Sequence, residues 1–223
     1  MCGKFTAMAS WRDVVAFSQP LTVDRYAGDE TVTYGVARTL PVIVLDPETK
    51  QRRVVPMRWG FPDPKDWRRP KPIHARSEGI DTTKAFAQAF RDGQRGIVVF
   101  QTFSEGEEAI TSGGKPKTIQ WTIDPGDGIA RGFPFIWRRF ELPDLPQPML
   151  ACVMVTVPAS EMIRKTIMAN QDDPRMPAIL EDGDWAKWLG QEAASINEVK
   201  ATLKTVEGVT WKMAPEPKAP KKP

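Results

Sequence analysis

The chain has 223 residues, 41% hydrophobic and 26% charged, with a net charge of +3. That length and balance describe a soluble globular protein with a substantial core, in one domain or a small pair, with one domain favoured. No apolar run approaches the ~20 residues of a membrane span, and no charged start precedes an apolar segment, which excludes membrane and secreted classes and predicts a cytoplasmic protein.

The chain opens Met1-Cys2-Gly3-Lys4-Phe5. A small second residue permits removal of Met1, which would leave an α-amine and a thiol on one residue. That 1,2-aminothiol captures aldehydes: the amine forms a Schiff base and the thiolate closes a thiazolidine on the imine carbon. With ordinary pKa values near ~8 and ~8.5, both groups are partly reactive at neutral pH. The plain alternative is a cysteine on a frayed terminus. A short helix is expected over 10–18, opened by Ser10 with Trp11, Val14, Val15 and Ser18 at helical spacing. Leu40–Leu45 and Arg53–Gly60 read as two strands joined by the polar turn at Asp46-Pro47.

Between Lys50 and Arg76 nine basic residues face only Asp63 and Asp66, a local charge of +7. Trp59, Phe61 and Trp67 are interleaved with them. Cationic groups for phosphates and aromatic faces for bases are the two ingredients of single-strand nucleic-acid binding; a solvated basic loop with its tryptophans turned into the core is the other reading. Pro62–Pro72 is an ordered loop with little regular structure. Thr82 or Thr83 is expected to cap a helix running through Phe86, Ala89 and Phe90 to about Gly93. Gly96–Phe103 begins with an apolar run typical of a buried strand, closed by Ser104–Glu108. A hairpin turn over Gly113–Lys117 precedes the strand Thr118–Ile123. Phe133–Phe140 and Met149–Val157 are further strands, with Cys152 a buried thiol. Ser160–Lys165 suggests a helical turn. Asp184–Leu189 reads as an amphipathic helix capped by Asp182 or Asp184.

The segment from Lys212 to Pro223 holds four lysines and one glutamate among prolines, so the body of the chain is neutral and any polyanion must be attracted by a local patch. We expect one domain over 1–211 and a disordered Lys/Pro-rich tail over 212–223. Many short strands with a few helices and no βαβ alternation argue for an α+β fold with a sheet-rich core. One histidine and two separated cysteines offer no zinc spacing, and no Gly-rich phosphate loop is present, so neither a metal nor a nucleotide cofactor is expected.

Five stretches, in order, resemble the SOS-response-associated peptidase (SRAP) family, the abasic-site shielding proteins. Met1-Cys2-Gly3-Lys4-Phe5 is similar to its Met-Cys-Gly-Arg-Phe start, Arg58-Trp59-Gly60 to its Arg-Trp-Gly, and Ile73-His74-Ala75-Arg76-Ser77-Glu78 to its Ile-Asn-Ala-Arg-Ser/Ala-Glu. Phe103-Ser104-Glu105-Gly106 stands where the family has Phe-Tyr-Glu-Trp, and Arg175-Met176-Pro177 with Ile179-Leu180 is similar to its His-Asp-Arg-Met-Pro-x-Ile/Leu-Leu. The resemblance implies a barrel-like mixed sheet with a positively charged groove for single-stranded DNA. It also implies self-removal of Met1 and attack by Cys2 on the open-chain aldehyde of an abasic deoxyribose, giving a thiazolidine DNA–protein crosslink.

On the same resemblance, Glu105 is the proton shuttle beside the α-amine. His74 stands in place of the family asparagine, and Asp173 in place of its histidine. An ionised Asp173 can act as a base or a fixed charge but not as an acid. Lys4 keeps the charge of the family arginine without its planar fork. The candidate DNA contacts are Lys4, Arg58, Trp59, Trp67, Arg68, Arg69, Arg76 and Arg175. With these substitutions the chain reads as a divergent member acting as a monomer on single-stranded DNA. Two other readings stay open: a binding protein that keeps the groove without efficient crosslinking, and a cysteine peptidase acting on other proteins with His74 as base.

Overall fold

The structure, a computed structural model, describes residues 2–7, 21–22, 32–110, 116–126, 131–207 and 211–217. The helix expected over 10–18 and the core of the turn expected near Gly113 lie outside the described residues.

Among the described residues twelve strands join in one mixed sheet. They are β1 (Lys4–Ala7), β2 (Leu21–Thr22), β3 (Thr33–Gly35), β4 (Thr39–Leu45), β5 (Arg52–Trp59), β6 (His74–Arg76), β7 (Arg95–Ile110), β8 (Pro116–Asp124), β9 (Arg131–Phe140), β10 (Met149–Pro158), β11 (Arg175–Pro177) and β12 (Lys212–Pro215). Five of them close a ring. β10 runs parallel to β5 through Cys152↔Trp59, β5 is antiparallel to β4, and β4 meets β7 at Ile43↔Ile97. β7 then pairs with β9, and β9 returns to β10. A sheet closed in this way has an inside, which the alternate residues of each strand must fill.

Aromatic rings fill much of it. Phe100 stacks on Phe133 at 3.7 Å, Phe5 meets Phe133 edge-on at 5.5 Å and Trp59 at 5.4 Å, and the Trp59 indole N–H donates to the Ile73 carbonyl. Phe5 is the anchor of the N-terminus: buried to 1% exposure, it contributes roughly 2–3 kcal/mol toward holding β1 on the barrel. Where strands cross closely the sequence has glycine. A Cβ at Gly132 would lie 2.3 Å from the Ile97 side chain, and one at Gly96 2.4 Å from Val42.

The expected strands at 40–45, 53–60, 118–123, 133–140 and 149–157 all form, and the α+β class holds. β7 is longer than expected. Its first half pairs with β4 and β9, β1 lies along it as far as Ser104, and beyond that it continues against β8 to Ile110, because the backbone pairing with β8 sustains the strand after the apolar run ends. The helix expected from Thr82 is confined to Ala87–Arg91, and neither threonine caps it. The helix Trp185–Leu189 forms without a side-chain cap from Asp182 or Asp184. The turn at Ser160 grows into the helix Glu161–Ile167, capped by the Ser160 hydroxyl. A further helix, Ile196–Ala201, carries a full capping box from Ser195 and Glu198; its Ser-x-x-Glu spacing was its signal. The expected boundary at 211 also moves, because Lys212–Pro215 form β12 against β8 and Trp211 packs edge-on against Phe103. Residues 218–223 lie outside the described residues. No helix among the described residues is long and apolar enough to cross a membrane.

Candidate active site

β1, β6 and β7 bring Cys2, His74 and Glu105 to one end of the barrel. β1 pairs with β7 through Lys4↔Ser104 and Phe5↔Phe103, which sets Cys2 and Gly3 beside Glu105 and Gly106. β6 pairs with β10 through Met154↔His74, and the His74 Nε2 lies 2.7 Å from the Cys2 carbonyl oxygen. All three residues come from separate stretches of sequence and meet only through strand pairing.

Cys2 is buried, its thiol donating to the Lys4 carbonyl at 3.2 Å. Burial, followed by the nearby Glu105 charge, pushes the thiol pKa far above its ordinary value, so it is protonated at neutral pH. Glu105 is 1% exposed. Burial pushes its carboxyl up from 4.5 to about 7, against the pull of the positive charge at the chain's N-terminus. The amide nitrogen of Cys2 is the atom that becomes the α-amine once Met1 is gone. Met1 itself lies outside the described residues.

Burial lowers the His74 imidazole to about 4, against the opposing hydrogen bond with Cys2. The ring is therefore neutral at pH 7. A carbonyl can only accept, so Nε2 carries the proton and Nδ1 is left as a bare acceptor, buried and without a hydrogen-bond partner among the described residues. His74 thus holds the Cys2 main chain, as the amide of an asparagine would, and does not contact the thiol. A cysteine–histidine dyad of the peptidase kind is not what these atoms form.

A cleft of about 800 Å³ adjoins this cluster, lined by Gly3, Lys4, Arg76, Gly106, Asp173, Arg175 and neighbours from β8 and the 170–172 loop. Of the eight candidate DNA contacts, Lys4, Arg76 and Arg175 line it. Their charges are largely matched. Lys4 pairs with Glu216 at 2.6 Å, and Arg76 with Asp173 at 2.7 Å. Arg175, 3% exposed, grips Glu78 with both terminal nitrogens at 3.0 and 2.8 Å and bonds Thr156 through its carbonyl and hydroxyl. Asp173 thus pairs with Arg76 and also lies 3.7 Å from Arg175.

The remaining candidates do not reach the cleft. Trp59 is fully buried in the barrel, so its faces are closed to a base; the alternative reading, an indole turned into the core, applies to it. Arg58 and Arg68 flank the Trp67 ring at 5.6 and 4.8 Å, and Arg58 donates to the carbonyls of Trp67 and Arg68. These cations brace the proline-rich loop around a second cavity of about 460 Å³. Arg69, highly exposed, lies 3.7 Å from Asp66. Sequence reading missed Glu216 and Ser104 as neighbours of Lys4; the Ser104 hydroxyl donates to Glu216 at 2.7 Å, and only the pairing of β12 with β8 brings them together.

The sequence matches the profile of the SOS response associated peptidase (SRAP) family over residues 1–219. No curated protein matches significantly. Similar solved structures include a protein from Bordetella bronchiseptica with 17% identity and a TM-score of 0.73, covering 97% of this chain and 100% of that one. A protein from Bacteroides thetaiotaomicron has 18% identity and a TM-score of 0.72, with 96% and 91% coverage. A phage-related protein from Bordetella bronchiseptica has 16% identity and a TM-score of 0.69, with 97% and 95% coverage. At these identities the likeness is one of fold.

Proposed function

The chain belongs to the SOS response associated peptidase family, which gives it an SOS-associated, DNA-damage-related function, and we propose that it crosslinks abasic sites in single-stranded DNA through Cys2. It does so in the cytoplasm, as a monomer, after losing Met1. The observation that carries this reading is the strand register that sets Cys2 beside Glu105, a buried carboxyl whose pKa burial raises to about 7. A group that must take a proton from an ammonium and later return one to a leaving water works best when its pKa lies near the ambient pH.

The steps follow from that placement. Glu105 takes a proton from the α-ammonium of Cys2, and the free amine attacks the aldehyde carbon of the ring-opened sugar. The resulting carbinolamine loses water as Glu105 returns the proton, leaving an iminium ion. The Cys2 sulfur then adds to the iminium carbon while its proton passes to the Glu105 carboxylate, closing the neutral thiazolidine. The net reaction releases one water and needs no oxidant or reductant. His74 keeps the Cys2 main chain in register throughout.

The test is a single-stranded oligonucleotide with one abasic site, mixed with the protein and run on a denaturing gel beside Cys2→Ser and Glu105→Ala. Intact mass spectrometry should give the Met1-less protein plus DNA less one water, absent in Cys2→Ser. Absence of any covalent band with the unsubstituted protein refutes the reading. Should salt-sensitive binding persist without that band, the second reading holds, a DNA-binding protein without efficient crosslinking. The buried Cys2 thiol and the matched charges of the cleft favour it.

A further inference from the structure

The register of the sheet sets Lys4, Ser104 and Thr122 in one row across β1, β7 and β8, since Lys4 faces Ser104 and Ser104 faces Thr122. Residues directly opposite one another in neighbouring strands point to the same face, so one amine and two hydroxyls share the face on which Lys4 lines the cleft. The Glu216 carboxylate lies on that face. One oxygen takes the Lys4 ammonium at 2.6 Å, the other takes the Ser104 hydroxyl at 2.7 Å, and Thr122 stands next in the same row. Its backbone N–H donates to the Gln120 carbonyl at 2.7 Å.

An ammonium and a hydroxyl on two oxygens sharing one negative charge, with a second hydroxyl beside them in the row, are also what a phosphodiester requires of its site. We propose that Lys4, Ser104 and Thr122 form a backbone-phosphate subsite, and that Glu216 is its built-in occupant, which single-stranded DNA displaces on entering the cleft. The occupant is held in a manner suited to release. It follows the last residue of β12, a strand of four residues on the sheet edge, and prolines at 215 and 217 supply no N–H beside it. Trp211 anchors the start of the segment against Phe103, so Glu216 can swing away while the rest of the strand stays paired. The Lys4 side chain is 40% exposed, leaving it open to an incoming phosphate.

The inference rests on the DNA reading above, and fluorescence anisotropy with an undamaged single-stranded oligonucleotide separates the two. Glu216→Gln keeps acceptors for the hydroxyls but removes the competing charge. It should tighten binding several-fold and steepen the dependence of log affinity on log salt by about 0.7, the increment for one added single-strand phosphate contact. Both gains should vanish in the double variant Glu216→Gln, Lys4→Met. Affinity and salt slope unchanged by Glu216→Gln, with the unsubstituted protein binding normally, would overturn the subsite and leave the DNA reading standing. A gain that persists without Lys4 would assign the effect to a loosened strand and also overturn it. No binding by any variant would remove both.

Discussion

Replacing Glu105 or His74 singly should tilt the pH–stability profile, because the contributions of the two residues oppose each other. Burial raises Glu105 from 4.5 to about 7. Between those values the folded protein binds more protons than the unfolded chain, and stability falls as pH rises. Burial lowers His74 from 6.5 to about 4. Between those values the unfolded chain binds more protons, and stability rises with pH. At about 1.4 kcal/mol per pH unit and proton, each window amounts to about 3 kcal/mol, and across pH 4.5–6.5 the two slopes oppose each other. Glu105→Gln removes the falling limb, so the variant should gain about 3 kcal/mol of stability between pH 4 and 6.5. His74→Asn removes the rising limb, so that variant should lose about 3 kcal/mol between pH 4.5 and 7. Urea denaturation of the three proteins at half-unit pH steps, followed by tryptophan fluorescence, measures this. Parallel profiles for wild type and both variants would refute the argument that burial governs these groups. Glu105→Gln should also be inactive at every pH, a stabilised protein above pH 7 that has lost its proton acceptor.

The tryptophans separate by burial: Trp59→Ala should cost about 3–5 kcal/mol, whereas Trp67→Ala, on the loop, should cost well under half of that, both read from urea midpoints. Asp173→His breaks the ion pair with Arg76 and supplies an acid where the family has one. Gel time courses on an abasic-site oligonucleotide should then show faster crosslink formation or faster release; kinetics identical to wild type would deny Asp173 any influence on the chemistry. Ser195→Ala removes the capping hydroxyl of the helix Ile196–Ala201 and should lower stability by about 1 kcal/mol in the same denaturation assay.

Strand positions were legible wherever apolar residues dominated, as over Leu40–Leu45 and Met149–Val157, because a strand buried on both faces has to be apolar along its length. Charged positions were not legible in the same way. Arg175 and Arg76 stand two strands apart and look alike in sequence, yet one is buried against Glu78 and Thr156 and the other is an exposed partner of Asp173. The basic stretch from Lys50 to Arg76 reads as one patch, but strand β5 carries Trp59 into the barrel while the proline-rich loop takes Trp67, Arg68 and Arg69 to a different surface from the cleft.

By itself the sequence determined the sheet-rich class and the chemistry available at Cys2, since both depend on local properties: residue size, polarity alternation and two nucleophiles on adjacent atoms. Tertiary structure decided which carboxylate meets which cation. A barrel closed by β9 and β10 joins residues a hundred positions apart, and the burial it imposes, rather than any neighbour in sequence, moves Glu105 toward neutrality and strips the charge from His74. The pairing of β12 with β8 then carries Glu216 to Lys4, a contact between the two ends of the chain that no local pattern encodes.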